Sequence, residues 1–176
     1  GMASLGILNM TKSKLFSPQD ENQKTAKKII YRTLGKTKIR IPIVSMGVMN
    51  SDSSQLIKKS YEIGVRYFDT SAAYQRGQNE KVIGQSLKDL GVRKNVIITT
   101  KVFIPHQQRD MSPQEANNAY LNIAHESLER LQTDYIDILL SHNIQNLSWL
   151  NNPGILEALN QLKQELPVPL TPKIMM

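Results

Sequence analysis

Four apolar runs alternate with four amphipathic segments between residues 41 and 165, at roughly 30 residues per unit. The runs are IPIVSMGV (41–48), VRYFDTS (65–71), VIITTKV (96–102) and YIDILLSH (135–142). Short apolar runs between helical segments read as buried parallel strands. A chain that repeats strand and helix in this way is expected to bury its apolar faces as an α/β fold, with helices packed on a parallel sheet. Ahead of the repeats, YRTLGKTKIRIPI (31–43) carries two β-prone runs around Gly35-Lys36, which predicts a β-hairpin.

The segments between the runs carry helix punctuation. In MSPQEANNAYLNIAHESLERL (111–131), Ser112 caps the helix, Pro113 suits its first position and Glu115 closes a capping box. Ala116, Tyr120, Ile123, Ala124, Leu128 and Leu131 then share one face. The other helices are expected at about 54–63, 79–90 and 154–165. Gly64 and Gly91 stop the first two, and Asn152-Pro153 opens the last.

With 176 residues, 40% apolar and 21% charged, the chain suits one globular domain. It has no Cys, so disulfides, thiolate metal sites and a cysteine nucleophile are excluded, and no metal site is expected. No run approaches the ~20 apolar residues of a membrane span. The net charge of +7 is local: residues 1–40 hold nine Lys/Arg against two Asp/Glu, whereas residues 41–176 hold thirteen of each. A neutral body offers no broad basic face, so no nucleic-acid partner is expected. Three parts follow: a basic flexible arm (1–30), a folded domain (31–166) and a proline-containing tail (167–176). A cytoplasmic location is favoured, with export the reading if residues 1–10 end a signal segment.

Four polar residues fall at one end of the expected sheet. Asp69 lies near the end of the second run, Lys101 near the end of the third and His142 at the end of the fourth; Tyr74 is in the loop after the second. Ligands of α/β sheets and barrels bind beyond the carboxyl ends of the strands. A free tyrosine titrates near ~10, and an adjacent lysine ammonium favours its phenolate. Lys101 can play that part for Tyr74, while the Asp69 carboxylate keeps the ammonium charged. His142 can orient a carbonyl by hydrogen bonding. The set reads as a general acid, Tyr74, placed to protonate an oxygen on which charge develops. Taken alone, Asp69 and Lys101 read as a structural ion pair. His125 falls on a polar helix face and His106 in a loop, while Trp149 reads as packing, with stacking on a cofactor the alternative.

These residues resemble the aldo-keto reductase superfamily. YRTLGKTKIRIPIVSMGV is similar to that family's N-terminal segment, GVRYFDTSAAYQRGQNEKVIGQSL to its Asp and Tyr motif, ITTKV to its Lys strand, and LERLQTDYIDILLSH to the segment leading to its histidine. The likeness covers about residues 31–165. It implies a TIM (β/α)8-type barrel, here truncated to about four βα units behind an N-terminal β-hairpin, reducing an aldehyde or ketone with hydride from NADPH. Residue by residue it implies Asp69, Tyr74, Lys101 and His142 as the catalytic tetrad. Gly47, Val48, Met49 and Asp69 match positions against the cofactor. A full barrel of this type takes about 250 residues, and the absent half of the family pattern carries most of its cofactor site. An inactive half-barrel, or a homo-oligomer that closes a pseudo-barrel, is therefore the alternative to a small-molecule carbonyl reductase.

Overall fold

Gly35 and Lys38, at φ of 51° and 63°, reverse the chain between β1 (Tyr31–Thr33) and β2 (Arg40–Pro42). The two strands pair antiparallel, with Tyr31 opposite Pro42 and Thr33 opposite Arg40. This is the expected hairpin. The structure, a computed structural model, describes residues 28–145 and 147–166; most of the expected arm and the whole tail 167–176 lie outside the described residues.

The run 41–48 does not form one strand. Residues 40–42 pair with β1, and after a bend Met46–Gly47 form β3, the first strand of a separate parallel sheet. The split has a packing cause, since the first part must serve the hairpin while Met46 and Val48 pack in a core beneath the helices. The parallel sheet has the order β3-β4-β5-β6, with β4 at Tyr67–Asp69, β5 at Ile97–Val102 and β6 at Ile138–Ser141. Its register sets Gly47 beside Asp69, Asp69 beside Thr99, and Lys101 beside Leu140.

Helices α1 (Ser54–Glu62), α2 (Gln78–Leu90) and α3 (Pro113–Leu131) follow β3, β4 and β5; a short α4 (Leu147–Leu150) and α5 (Pro153–Glu165) follow β6. The α3 boundaries coincide with those read from the sequence, because Ser112 accepts from the Glu115 backbone and Glu115 reaches back to the Ser112 N–H. Gly91 ends α2 at φ 65°, and the Asn152 side chain caps α5. Two cores result. Val48, Ile57, Phe68, Ile83, Leu87 and Ile98 form one, while Val102, Tyr120, Ala124, Trp149, Ile155 and Leu162 belong to the other.

Period-two alternation divides each strand between two faces. Phe68, Ile98 and Val102 point to the helices and pack in the cores. The opposite face therefore carries Tyr67, Asp69, Thr99, Lys101 and Leu140. Tyr67 Oη and Thr99 Oγ1 hydrogen-bond there at 2.8 Å, and Leu140 is 44% exposed. β3 and β6 are the two outer strands of this sheet. No helix among the described residues is long and apolar enough to cross a membrane.

Candidate active site

Backbone bonds at the carboxyl end of the sheet gather the site. Beyond the strand ends, Val48 N–H donates to the Asp69 carbonyl, Thr70 N–H to Thr99, Ala72 N–H to Lys101 and His142 N–H to Val102. The sheet pattern thus runs on past the strands and holds the flanking residues in register.

Lys101 is the centre of the cluster. Its Nζ donates to Asp69 Oδ1 at 2.5 Å and to the Thr70 carbonyl at 2.7 Å. The lysine side chain is 12% exposed and that of Asp69 31%, so the pair is partly shielded from solvent. The same Nζ lies 5.0 Å from the centre of the Tyr74 ring. His142 stands edge-on to that ring, with centroids 5.5 Å apart and an interplanar angle of 80°. The Phe103 ring also lies against the imidazole, with centroids 5.6 Å apart. The structure therefore brings Asp69, Tyr74, Lys101 and His142 into one cluster.

Burial holds His142 below its ordinary 6.5, and the Lys101 charge pushes the same way, with Asp69 opposing. Its ring is neutral near pH 7. Ser71, which the sequence reading passed over, bonds His142 Nδ1 through Oγ at 2.9 Å. Its position was a usable signal, because it lies two residues after Asp69 and so projects to the same side of the chain. The Thr70 carbonyl that accepts from Lys101 left no such signal.

The positions expected to face a cofactor divide. Gly47 pairs with Asp69 across the ladder, and among the described residues, its two chain neighbours aside, no atom lies within 4 Å of where a Cβ would stand. Met49 is 53% exposed at the same end, whereas Val48 turns its side chain into the helix-side core. The remaining candidates lie apart. Trp149 is buried in the core with Tyr120 and Ile155, under the Arg109 guanidinium at 5.7 Å from its ring. His106 is exposed in a short 3-10 turn, and His125 lies on the surface 3.6 Å from Glu165. Among the described residues no cluster of three or more His, Asp or Glu is arranged to hold a metal.

A family model described as the aldo/keto reductase family matches residues 40–165. The chain belongs to that family. Among proteins similar to this aldo/keto reductase family member, L-galactose dehydrogenase of Arabidopsis thaliana is 34% identical over 151 residues, 78% of this chain and 46% of the relative. The holo form of aldo-keto reductase AKR11C1 from Bacillus halodurans superposes with a TM-score of 0.63 at 29% identity, over 78% of this chain and 47% of that one. A Bombyx mori aldo-keto reductase in complex with NADP shares the fold, with a TM-score of 0.57 at 23% identity over 76% of this chain and 48% of that one. The family member described here thus spans about half the length of the relatives it matches.

Proposed function

We propose that this chain carries the acid–base centre of an NADPH-dependent carbonyl reductase, acting on an aldehyde or ketone, within one half of a (β/α)8 barrel. The observation that carries the reading is the position of Lys101 Nζ, bonded to Asp69 and 5.0 Å from the Tyr74 ring, with His142 edge-on to that ring. A simple structural ion pair does not require a phenol and an imidazole beside it.

A nicotinamide cofactor fits the residues present at one place. The open flank of Gly47 and the exposed side chain of Met49 leave room for a flat ring beside Asp69. When bound, NADPH supplies the hydride that reduces the carbonyl carbon. Tyr74 holds the proton at Oη and passes it to the carbonyl oxygen as negative charge collects there. The Lys101 ammonium stabilises that charge through its field, and Asp69 keeps the ammonium in place.

Ser71 determines what His142 offers. Its single hydroxyl proton can serve His142 Nδ1 at 2.9 Å or the Lys101 carbonyl at 3.3 Å. The shorter bond favours donation to Nδ1, which leaves the imidazole proton on Nε2 and free to orient a carbonyl oxygen.

The test is a titration of the purified chain with NADPH by fluorescence or calorimetry, followed by turnover with a panel of aldehydes and ketones. Saturable binding and NADPH consumption that disappears in Tyr74→Phe are expected. No binding at millimolar cofactor overturns the reading for this chain.

A second reading rests on the open strands. Among the described residues β3 and β6 each have an unpaired edge, and Leu140 is 44% exposed on the face of β6 opposite the helices. Unpaired edges and exposed apolar faces favour association. In this reading the chain is a non-catalytic half-barrel that pairs with a second copy. Sedimentation giving a dimer without NADPH affinity would favour it over the first.

A further inference from the structure

Helix α2 begins with two adjacent polar side chains, Asn79 and Glu80, both fully buried. Burying a carboxylate is costly unless it is paired and hydrogen-bonded, and Glu80 is both. Its Oε1 accepts from Thr100 Oγ1 at 2.5 Å, and its Oε2 accepts from Arg130 Nε at 2.6 Å. Its place in the first turn of α2 adds the favourable field of the helix N-terminus. Asn79 reaches the other way, where its Nδ2 donates to the Ser51 carbonyl.

The partners of this pair are the segments that build the site. Thr100 directly precedes Lys101 in β5, so its side chain leaves toward the helices while Lys101 leaves toward the uncovered face. Ser51 lies in the loop that continues Gly47–Met49, and the Ser51 N–H bonds back to the Val48 carbonyl at 2.9 Å. Arg130 donates further to Ser127 Oγ at 3.1 Å and to Glu126 at 3.0 Å, which fixes its guanidinium on α3. The stem of Arg130 runs so close beneath Gly77 that a Cβ there would lie 2.6 Å from Arg130 Cδ.

Between Tyr74 and this pair the backbone is unusual. Gln75, Arg76 and Gly77 stand at φ of 47°, 55° and 82°, three left-handed residues in succession, two of them not glycine. L-residues adopt that region at a cost, so such a turn persists only where its surroundings over-determine it. One anchor is the Tyr74 N–H bond to the Ser71 carbonyl at 3.0 Å. The other is the buried start of α2.

We propose that Asn79 and Glu80 form a polar hub that positions the proposed site. Glu80 sets the Tyr74 turn against the strand of Lys101, and Asn79 sets the Gly47–Met49 loop against the same turn. Neither touches the reacting atoms; both are positioning residues, and the inference rests on the functional reading above for what they position.

The test reads geometry, not turnover. The protein is labelled at Tyr and His side chains and at Met methyls, and NMR spectra of Thr100→Val, Thr100→Ser and Asn79→Ser are compared with the parent. Thr100→Val removes the hydroxyl at nearly constant volume, so it is expected to shift the Tyr74 and His142 ring signals and leave Met49 in place. Thr100→Ser keeps the hydroxyl and is expected to restore the parent positions. Asn79→Ser is expected to move the Met49 methyl and spare His142.

Should Thr100→Val unfold, the pair Glu80→Gln with Arg130→Met removes both charges of the ion pair and is read against the same signals. A fall in thermal stability with Tyr74 and His142 unmoved overturns the hub and leaves Glu80 a purely structural residue. Equal shifts in Thr100→Ser and Thr100→Val overturn it too. Where NADPH turnover is measurable, Thr100→Val is expected to lower kcat by about ten- to a hundredfold without changing the KM for NADPH. Signals that move in a protein with no NADPH affinity would count against the functional reading alone.

Discussion

The ammonium of Lys101 hangs 5.0 Å from the centre of the Tyr74 ring, while its hydrogen bonds run to Asp69 and to the Thr70 carbonyl. In this arrangement the short contact of the lysine is with the carboxylate.

On the proposed function, removing either member of that relationship is expected to slow turnover by different routes. Tyr74→Phe takes away the proton and keeps the ring contacts, so turnover should fall by about 10²–10⁴ with the thermal midpoint nearly unchanged. Lys101→Met should give a similar loss, because the developing charge loses its stabiliser. Rates under saturating NADPH, beside a melting curve for each variant, check both; retained turnover in Tyr74→Phe removes the tyrosine from its role.

His142 should titrate below 6.5, because burial and then the Lys101 charge disfavour its protonated form. The sign for stability follows. As pH falls below the unfolded value, the unfolded chain takes up the proton first, so this residue's contribution is complete above about pH 6.5 and is lost as pH falls through the folded value. Lys101→Met should raise the midpoint of the His142 NMR titration. A midpoint at or above 6.5 in the parent protein, or one unmoved by the substitution, contradicts the assignment of causes.

Ser71→Ala should release the His142 tautomer. With the 2.9 Å bond to Nδ1 gone, the proton is no longer held on Nε2, and the two ring nitrogens should become more alike in ¹⁵N shift. Nitrogen shifts of labelled imidazole at pH 8 read this directly. Identical spectra for the parent and Ser71→Ala would mean that the serine does not set the tautomer.

Gly154→Ala should loosen α5 from α3. A Cβ at Gly154 would collide with the Pro113 carbonyl, and the Asn117 side chain also donates to the Gly154 carbonyl at 3.3 Å. Overpacking of this kind costs about 1–3 kcal/mol, which urea unfolding of the two proteins would measure. A smaller change than about 0.5 kcal/mol would show that the helices slide apart without penalty.

Much of the architecture is legible in short stretches of the chain. Ser112, Pro113 and Glu115 mark the start of α3, because a helix cap needs only a hydroxyl, a ring and a carboxylate within four residues. Asp69, Lys101 and His142 could be placed at one sheet end from the order of apolar runs alone, since parallel strands all point the same way. The bent first strand was not legible: nothing within residues 41–48 says that Arg40–Pro42 pair with β1 and that Met46–Gly47 pair with β4.

Local chemistry thus wrote the elements, their direction and the identity of the clustered residues, because caps, turns and periodicity act over a few neighbouring positions. Contacts between distant positions came only with packing. Ser71 meets His142 across 71 residues, Glu80 meets Arg130 across 50, and Trp149 turns into the core between α3 and α5 instead of facing the site. A side chain buried this way takes the partner that the surrounding elements leave within reach, and that partner is set by how the strands and helices stack.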